Sequence, residues 1–265
     1  MKTEKIYIRI GKSTLSFTAL DATSSERPVL FEPYVVKGGI SMAANLREAL
    51  KTVQLINSGT QQAQVVIDTP SMLVPVEQFE EPYIEQLFKH SFPARQEKRS
   101  VLFNVLPDLN AVCLFAINRD LQRVITDRFE KVQFIQAMTP VWRHLHQRSF
   151  TGHRSKLYGC FHDKQLDIFS FQQNRFKFAN SFETTHANDA LYFLLYVWKQ
   201  LRMDAQHDEI HVVGEIPEQE QLMQELKRYV QNAYVMNPSA DFQEAAAAKV
   251  AGMPYDLMTL IIKGR

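Results

Sequence analysis

Ile6, Ile8 and Ile10 alternate with Tyr7 and Arg9, and after the turn Gly11-Lys12-Ser13 the alternation resumes through Leu15, Phe17 and Ala19 as far as Asp21. Residues 29–36 form a third β-rich run. Period-two alternation broken by tight turns predicts an antiparallel meander of three strands. Beyond Gly38-Gly39 the period changes. Ile40, Ala43, Leu46, Leu50 and Val53 fall at helical spacing, and Asn57-Ser58-Gly59 ends that helix. Residues 63–68 read as a short buried strand stopped by Thr69-Pro70, and residues 82–92 as a short helix. A hairpin pairs 100–106 with 111–117 around Pro107-Asp108-Leu109-Asn110. Asn118 or Asp120 caps a helix bearing Leu121, Val124, Ile125 and Phe129, and 132–135 is a strand. Thr139-Pro140 predicts a helix start, because a threonine oxygen accepts a free backbone N–H and proline suits the first helical position. That helix ends near Phe150, and the loop-like residues 151–155 mark a boundary.

The second half repeats the order. Residues 157–161, 166–171 and 176–182 are again three strands, with polar turns at His162-Asp163-Lys164-Gln165 and Gln172-Gln173-Asn174. A long helix carries Leu191, Leu194, Leu195, Trp198 and Leu201 on one face. Tyr192, Phe193, Tyr196 and Val197 make it apolar almost all round, which predicts burial or an interface. A strand at 209–213, a helix opened by Pro217, a strand at 233–236 and an Ala-rich helix capped by Ser239 and stopped at Gly252 complete the chain. Both halves read β-β-β-α-β-α-β-α, the first with an extra segment at about residues 70–117. A meander makes an antiparallel edge, and helical crossovers add two parallel strands beside it. The expected class is α/β, with two lobes at 1–150 and 151–265, each a mixed five-stranded sheet flanked by helices. The last helix and the one beginning at Thr139 are expected at the junction.

Composition narrows function more than fold. At 265 residues and 45% hydrophobic content, the chain has the makings of a folded core rather than of disorder. Thirty basic and 29 acidic residues give a formal charge of +1, so no field favours nucleic acid or anionic membrane, and no nucleic-acid partner is expected. Two cysteines, Cys113 and Cys160, are too few for a disulfide framework and imply a reducing, cytoplasmic setting. Met1 to Lys5 lack the apolar core of a signal peptide. The longest apolar run, 190–198, is too short to span a bilayer, so no transmembrane segment is expected.

The stretch Asn180-Ser181-Phe182-Glu183-Thr184-Thr185-His186-Ala187-Asn188-Asp189-Ala190-Leu191-Tyr192-Phe193-Leu194-Leu195, followed by Ile210-His211-Val212-Val213-Gly214-Glu215, resembles a recurring segment of an uncharacterised bacterial family with an actin-like ATPase (ribonuclease H-like) fold. It is more distantly similar to actin-like assembly proteins of type IV pilus and type II secretion systems. The resemblance implies a fold covering nearly the whole chain. It implies no activity.

An ATPase of that class needs acidic phosphate loops, with an Asp near Mg²⁺ and a glycine where backbone approaches phosphate. The first such turn, Arg9-Ile10-Gly11-Lys12-Ser13, keeps the glycine but has Arg9 where these motifs carry Asp. The second strand, Tyr158-Gly159-Cys160-Phe161-His162, lacks an acid there, and Asp163 lies further into the turn. A glycine pair is reduced to Gly214 followed by Glu215. These departures predict a binding or scaffold protein without ATP hydrolysis, with no catalytic residue, metal or cofactor. A protein partner or self-association is expected, through apolar surface, the 70–117 segment or a strand edge. The alternative is an ATP-binding protein, ATPase or small-molecule kinase using Mg and displaced acids such as Asp21, Asp163 or Glu215. Its ligand would lie beside Gly11, Lys12, Ser13, His162, Asp163 and Gly214.

Other motifs are weaker. Gly11-Lys12-Ser13 is no P-loop, because Ile6 stands where that motif has its first glycine and a strand follows. His144, His146, His153 and His162 are close in sequence, but Arg143, Arg148, Arg154 and Lys156 interleave and oppose a cation. This part of the chain reads as a solvated basic helix and loop. Cys160 and His162 share a strand face, and the expected state of Cys160 is a buried, inert thiol.

Overall fold

The computed structural model describes residues 5–21, 29–93, 98–150, 153–243 and 245–264. Residues 1–4 of the opening segment and Thr151 and Gly152 of the expected boundary loop lie outside that set. The chain begins with the meander β1 (Ile6–Ile10), β2 (Leu15–Leu20) and β3 (Val29–Tyr34). Then come α1 (Met42–Thr52), β4 (Gln62–Ile67), β5 (Ser71–Pro75), α2 (Ile84–Ser91), β6 (Arg99–Leu106), β7 (Ala111–Asn118), α3 (Arg119–Thr126), β8 (Lys131–Gln136) and α4 (Met138–Ser149). The second half has β9 (Lys156–His162), β10 (Gln165–Gln172), β11 (Arg175–Glu183), α5 (Ala187–Gln200), β12 (Glu209–Gly214), α6 (Gln219–Tyr229), β13 (Asn232–Val235), α7 (Pro238–Asp241) and α8 (Tyr255–Lys263).

Two mixed five-stranded sheets result, ordered β3-β2-β1-β4-β8 and β11-β10-β9-β12-β13. In each, the meander is antiparallel and the last two strands run parallel to the first. β1 and β9 are central and buried along their whole length, as strands covered on both faces must be. Ile6, Ile8 and Ile10 pack under α1 and α3, while Leu157, Phe161 and Ile168 pack under α5 and α6. The inner faces of both sheets meet α4 and α8 in one shared core containing Tyr7, Val141, Tyr158 and Leu257. β5, β7 and β6 form a separate three-stranded antiparallel sheet that packs on α2. No described helix is long and apolar enough to cross a membrane.

Several local expectations need correction. Thr139 does not cap α4: the helix starts at Met138, the Gln136 side chain accepts the Met138 N–H at 2.7 Å, and the Thr139 hydroxyl donates to Asn104. Nor is α4 a solvated helix. His144 and His146 are buried because α8 and the second sheet cover a face that sequence period alone reads as polar. The single Ala-rich helix after Ser239 is instead the short α7, capped by Asn237, a 3₁₀ turn at Ala246–Lys249 and, after Gly252 and Pro254, the separate helix α8. β5, bounded by Pro70 and Pro75, was not expected; it is an edge strand, where proline is tolerated.

Candidate functional site

β1, β4 and β9 end together, and their ends carry Arg9, Asp68 and His162. Two hairpin turns bring further groups. Gly11 N–H donates to Thr14 C=O at 2.8 Å in the first turn. Asp163 and Lys164 both take positive φ (42° and 61°) in the second, the geometry of a two-residue hairpin loop. Asp256 arrives on the first turn of α8.

Arg9 lies at the centre, only 3% exposed. Its Nε donates to both Asp256 oxygens at 2.9 Å, and its Nη2 lies 2.8 Å from Asp256 Oδ2. Nη2 also reaches Asp68 Oδ2 at 3.3 Å, and Nη1 reaches Asp163 Oδ2 at 3.2 Å and Thr14 Oγ1 at 3.1 Å. The Thr14 hydroxyl donates to Asp163 Oδ2 at 3.0 Å. One guanidinium thus joins three carboxylates drawn from the first sheet, the second sheet's hairpin and the last helix. Burial works against its charge, but the pull of Asp256, Asp68 and Asp163 outweighs burial and holds its pKa above the usual arginine value.

His162 forms a second bridge. Its Nδ1 lies 2.9 Å from Asp68 Oδ2, and its Nε2 contacts Asp167, whose other oxygen accepts from the Ser181 hydroxyl. A ring with a carboxylate at each nitrogen is matched only by the doubly protonated imidazolium. Burial opposes that charge, yet the hydrogen bonds to Asp167 and Asp68 raise the His162 pKa well above the ordinary value. Asp68 moves the opposite way: burial pushes it up, but His162 and Arg9 bring it below the usual carboxylate range. Cys160 does not pair with His162. Burial, reinforced by the surrounding aspartates, raises its thiol pKa well above the ordinary value.

The six positions singled out from the sequence are distributed as follows. A Cβ at Gly11 would lie 2.1 Å from Asp163 Oδ2, so the first turn touches the second only because Gly11 lacks one. Ser13, His162, Asp163 and Gly214 line one cavity of about 740 Å³, together with Met236 and Tyr255. Lys12 lines another of about 780 Å³, which shares His162 and Asp163 and adds Asp167 and Ser181. Lys12 pairs with Glu183 at 3.1 Å on the surface. The Arg9 network stands between the two cavities. Gly214 takes φ 100° where β12 ends, and Glu215 N–H donates to Phe161 C=O at 3.0 Å. Glu215 is exposed, and Asp21 follows β2 at the end of the sheet away from the turn, so neither joins the carboxylates around Arg9. Asp68, Asp167 and Asp256 are the members sequence reasoning missed. The only hint was Asp68, an acid closing an apolar strand.

An ATPase of the class the sequence resembles would hold ATP with Mg²⁺ in this cleft. The carboxylates offer no open place for the ion: Arg9 holds Asp68, Asp163 and Asp256 and His162 holds Asp68 and Asp167, so binding it would mean breaking buried ion pairs.

A Bacteroides thetaiotaomicron protein with an actin-like ATPase fold and unknown function, solved by crystallography, is similar at 28% identity over 92% of this chain and 95% of that one, with TM-score 0.82. A chain of the PilM-PilN type IV pilus biogenesis complex shares 12% identity over 91% and 90%, with TM-score 0.51. The cytoplasmic domain of EpsL, an inner membrane component of the Vibrio cholerae type II secretion system, is matched at 11% identity over 80% and 83%, with TM-score 0.41. No curated protein matches the sequence. The two mixed sheets are therefore the lobes of an actin-like ATPase fold, and the chain, matched over residues 1–233, belongs to the DUF3822 family of proteins of unknown function.

Proposed function

We propose that this is a cytoplasmic binding or scaffold protein whose two lobes, 1–150 and 151–265, are held together by its own side chains, and that its cleft does not hydrolyse ATP. The observation that carries this reading is Arg9, which joins Asp68, Asp163 and Asp256 at 2.8–3.3 Å. Phosphoryl transfer depends on a metal ion and freely positioned acids around the transferred group. Here the acids already serve a guanidinium and an imidazolium. The two free, buried cysteines support a reducing compartment. Calorimetry with Mg-ATP and Mg-ADP tests the reading, and the expected result is no heat of binding and no phosphate release. Micromolar affinity, or phosphate release abolished by Asp163→Ala, would overturn it in favour of an ATPase or kinase.

A further inference from the structure

β8 is the outer strand of the first sheet, and its free side is defined by its own hydrogen bonds. Lys131 N–H donates to Gln61 C=O at 3.1 Å and Ala137 N–H to Ile67 C=O at 3.0 Å, so the odd-numbered residues of β8 face β4. In a parallel ladder the even-numbered ones, Val132, Phe134 and Gln136, turn both N–H and C=O outward. At one end those groups are already answered. The Asn104 side chain donates from Nδ2 to Phe134 C=O at 3.0 Å and accepts Gln136 N–H on Oδ1 at 2.8 Å. One residue of a neighbouring parallel strand would offer the same donor and acceptor. The Thr139 hydroxyl, 3.3 Å from Asn104 Oδ1, helps hold the carboxamide there.

Beyond Asn104 the edge opens on a groove of about 1050 Å³, lined by residues 132–135 of β8 and 101–105 of β6. Its two sides differ. Val132 and Phe134 are half-buried against the core under α1 and α3. On the other side the groove is lined by Lys5, Arg143 and Lys263, and among the described residues Glu81 is its one lining carboxylate. Lys5 is held over the Tyr7 ring and bonds Gln64 at 3.2 Å, and Arg143 pairs with the half-exposed Asp108 at 3.5 Å.

We infer that this groove receives an extended segment of another protein, alternating acidic and apolar side chains, as a sixth strand beside β8. Main-chain pairing begins at Val132 and Phe134 where Asn104 leaves off. Apolar side chains fall on the Val132 and Phe134 face, and acidic ones fall toward Lys5, Arg143 and Lys263. The groove shares no lining residue with the two cleft cavities, so its failure would leave the reading of the Arg9 network untouched, and the reverse also holds.

The test is fluorescence anisotropy with a labelled octapeptide of alternating Val and Glu, the full-length protein and low salt. Val132→Pro removes an outward N–H without breaking a bond to β4, a substitution that edge strands tolerate. It is expected to weaken binding about three- to tenfold, the range for one hydrogen bond, and more than Val132→Ala, which keeps the N–H and loses only apolar contact. Lys263→Glu should also weaken it, and a Val-Lys octapeptide should not bind. If Val132→Pro fails to fold, the Val-Glu peptide N-methylated at alternate residues probes the same bonds from the other side and should lose affinity. Absence of binding, equal binding of the Val-Lys peptide, or affinity unchanged by both Val132→Pro and N-methylation would overturn the inference. So would sedimentation showing a dimer that Val132→Pro dissociates, because the occupant would then be a second copy of this chain.

Discussion

Arg9, Asp163 and Gly11 show how much one residue's chemistry decides here. The Arg9 guanidinium is buried among three carboxylates, and removing it takes that counter-charge from all three, leaving Asp68 with His162 and Asp163 with the Thr14 hydroxyl. Arg9→Met is expected to lower stability by about 3–5 kcal/mol in urea unfolding, the usual cost of breaking a buried ion pair from one side. A loss below about 1 kcal/mol would mean that the network adds little. Gly214 makes a second, purely steric demand. At φ 100° its added Cβ would sit 2.0 Å from the Phe161 carbonyl oxygen, whereas one at Gly38 would meet nothing within 4 Å. Gly214→Ala should cost about 1–3 kcal/mol, and Gly38→Ala less than about 0.5 kcal/mol. The arginine standing in the acid's place and the aspartate in the second turn were both legible in the sequence. That Asp68 and Asp256 converge on the same arginine was not, because 188 positions separate them (256 minus 68) and only the packing of α8 brings them together.

At the scale of elements, α4 and α8 explain both a misreading and a pH dependence. Strand alternation and the β-β-β-α-β-α-β-α order were readable, because each strand buries a regular set of positions. The environment of α4 was not, since its polar residues are satisfied inside the molecule. His144 bonds Asp241 at 3.0 Å, Tyr255 OH donates to the same carboxylate at 2.6 Å, and Arg148 pairs with it. Burial, helped by the nearby charges of Lys263 and Arg148, pushes the His144 pKa down to about 4. Its folded value thus lies below its unfolded value of about 6.5, so the unfolded chain binds the proton first. Stability should fall as pH drops from about 6.5 toward 4, and His144→Gln should flatten that fall. His162 has the opposite sign. Its raised folded pKa means stability present in full below about 6.5 and lost as pH rises through the folded value, a loss that His162→Gln should remove. Thermal melts across pH, with both variants, check the two signs separately.

For the whole molecule, the charged contacts cross between the halves of the chain: Arg9 to Asp163 and Asp256, and His162 to Asp68. With the shared core around α4 and α8, they join the two lobes. The expected outcome in small-angle X-ray scattering is a radius of gyration unchanged by Mg-ATP, and a larger one in Arg9→Met. A wild-type radius that shrinks with nucleotide would show instead that closure waits for a ligand.

The two thiols bear on how such opening could be timed. Cys113 on β7 is fully enclosed, and burial pushes its pKa up to about 12; Cys160 on β9 is enclosed beside the charged network. Neither is nucleophilic while covered. A thiol reagent therefore reacts only in the moments when a sheet lets go, and its rate at each position counts those moments. The chain carries two built-in clocks, Cys160 for the cleft and Cys113, which reaches from β7 into the core around α4 and α8, for that core. A faster Cys160 clock in Arg9→Met would time the opening of the cleft without any added label, and the Cys113 clock would show whether the shared core loosens with it.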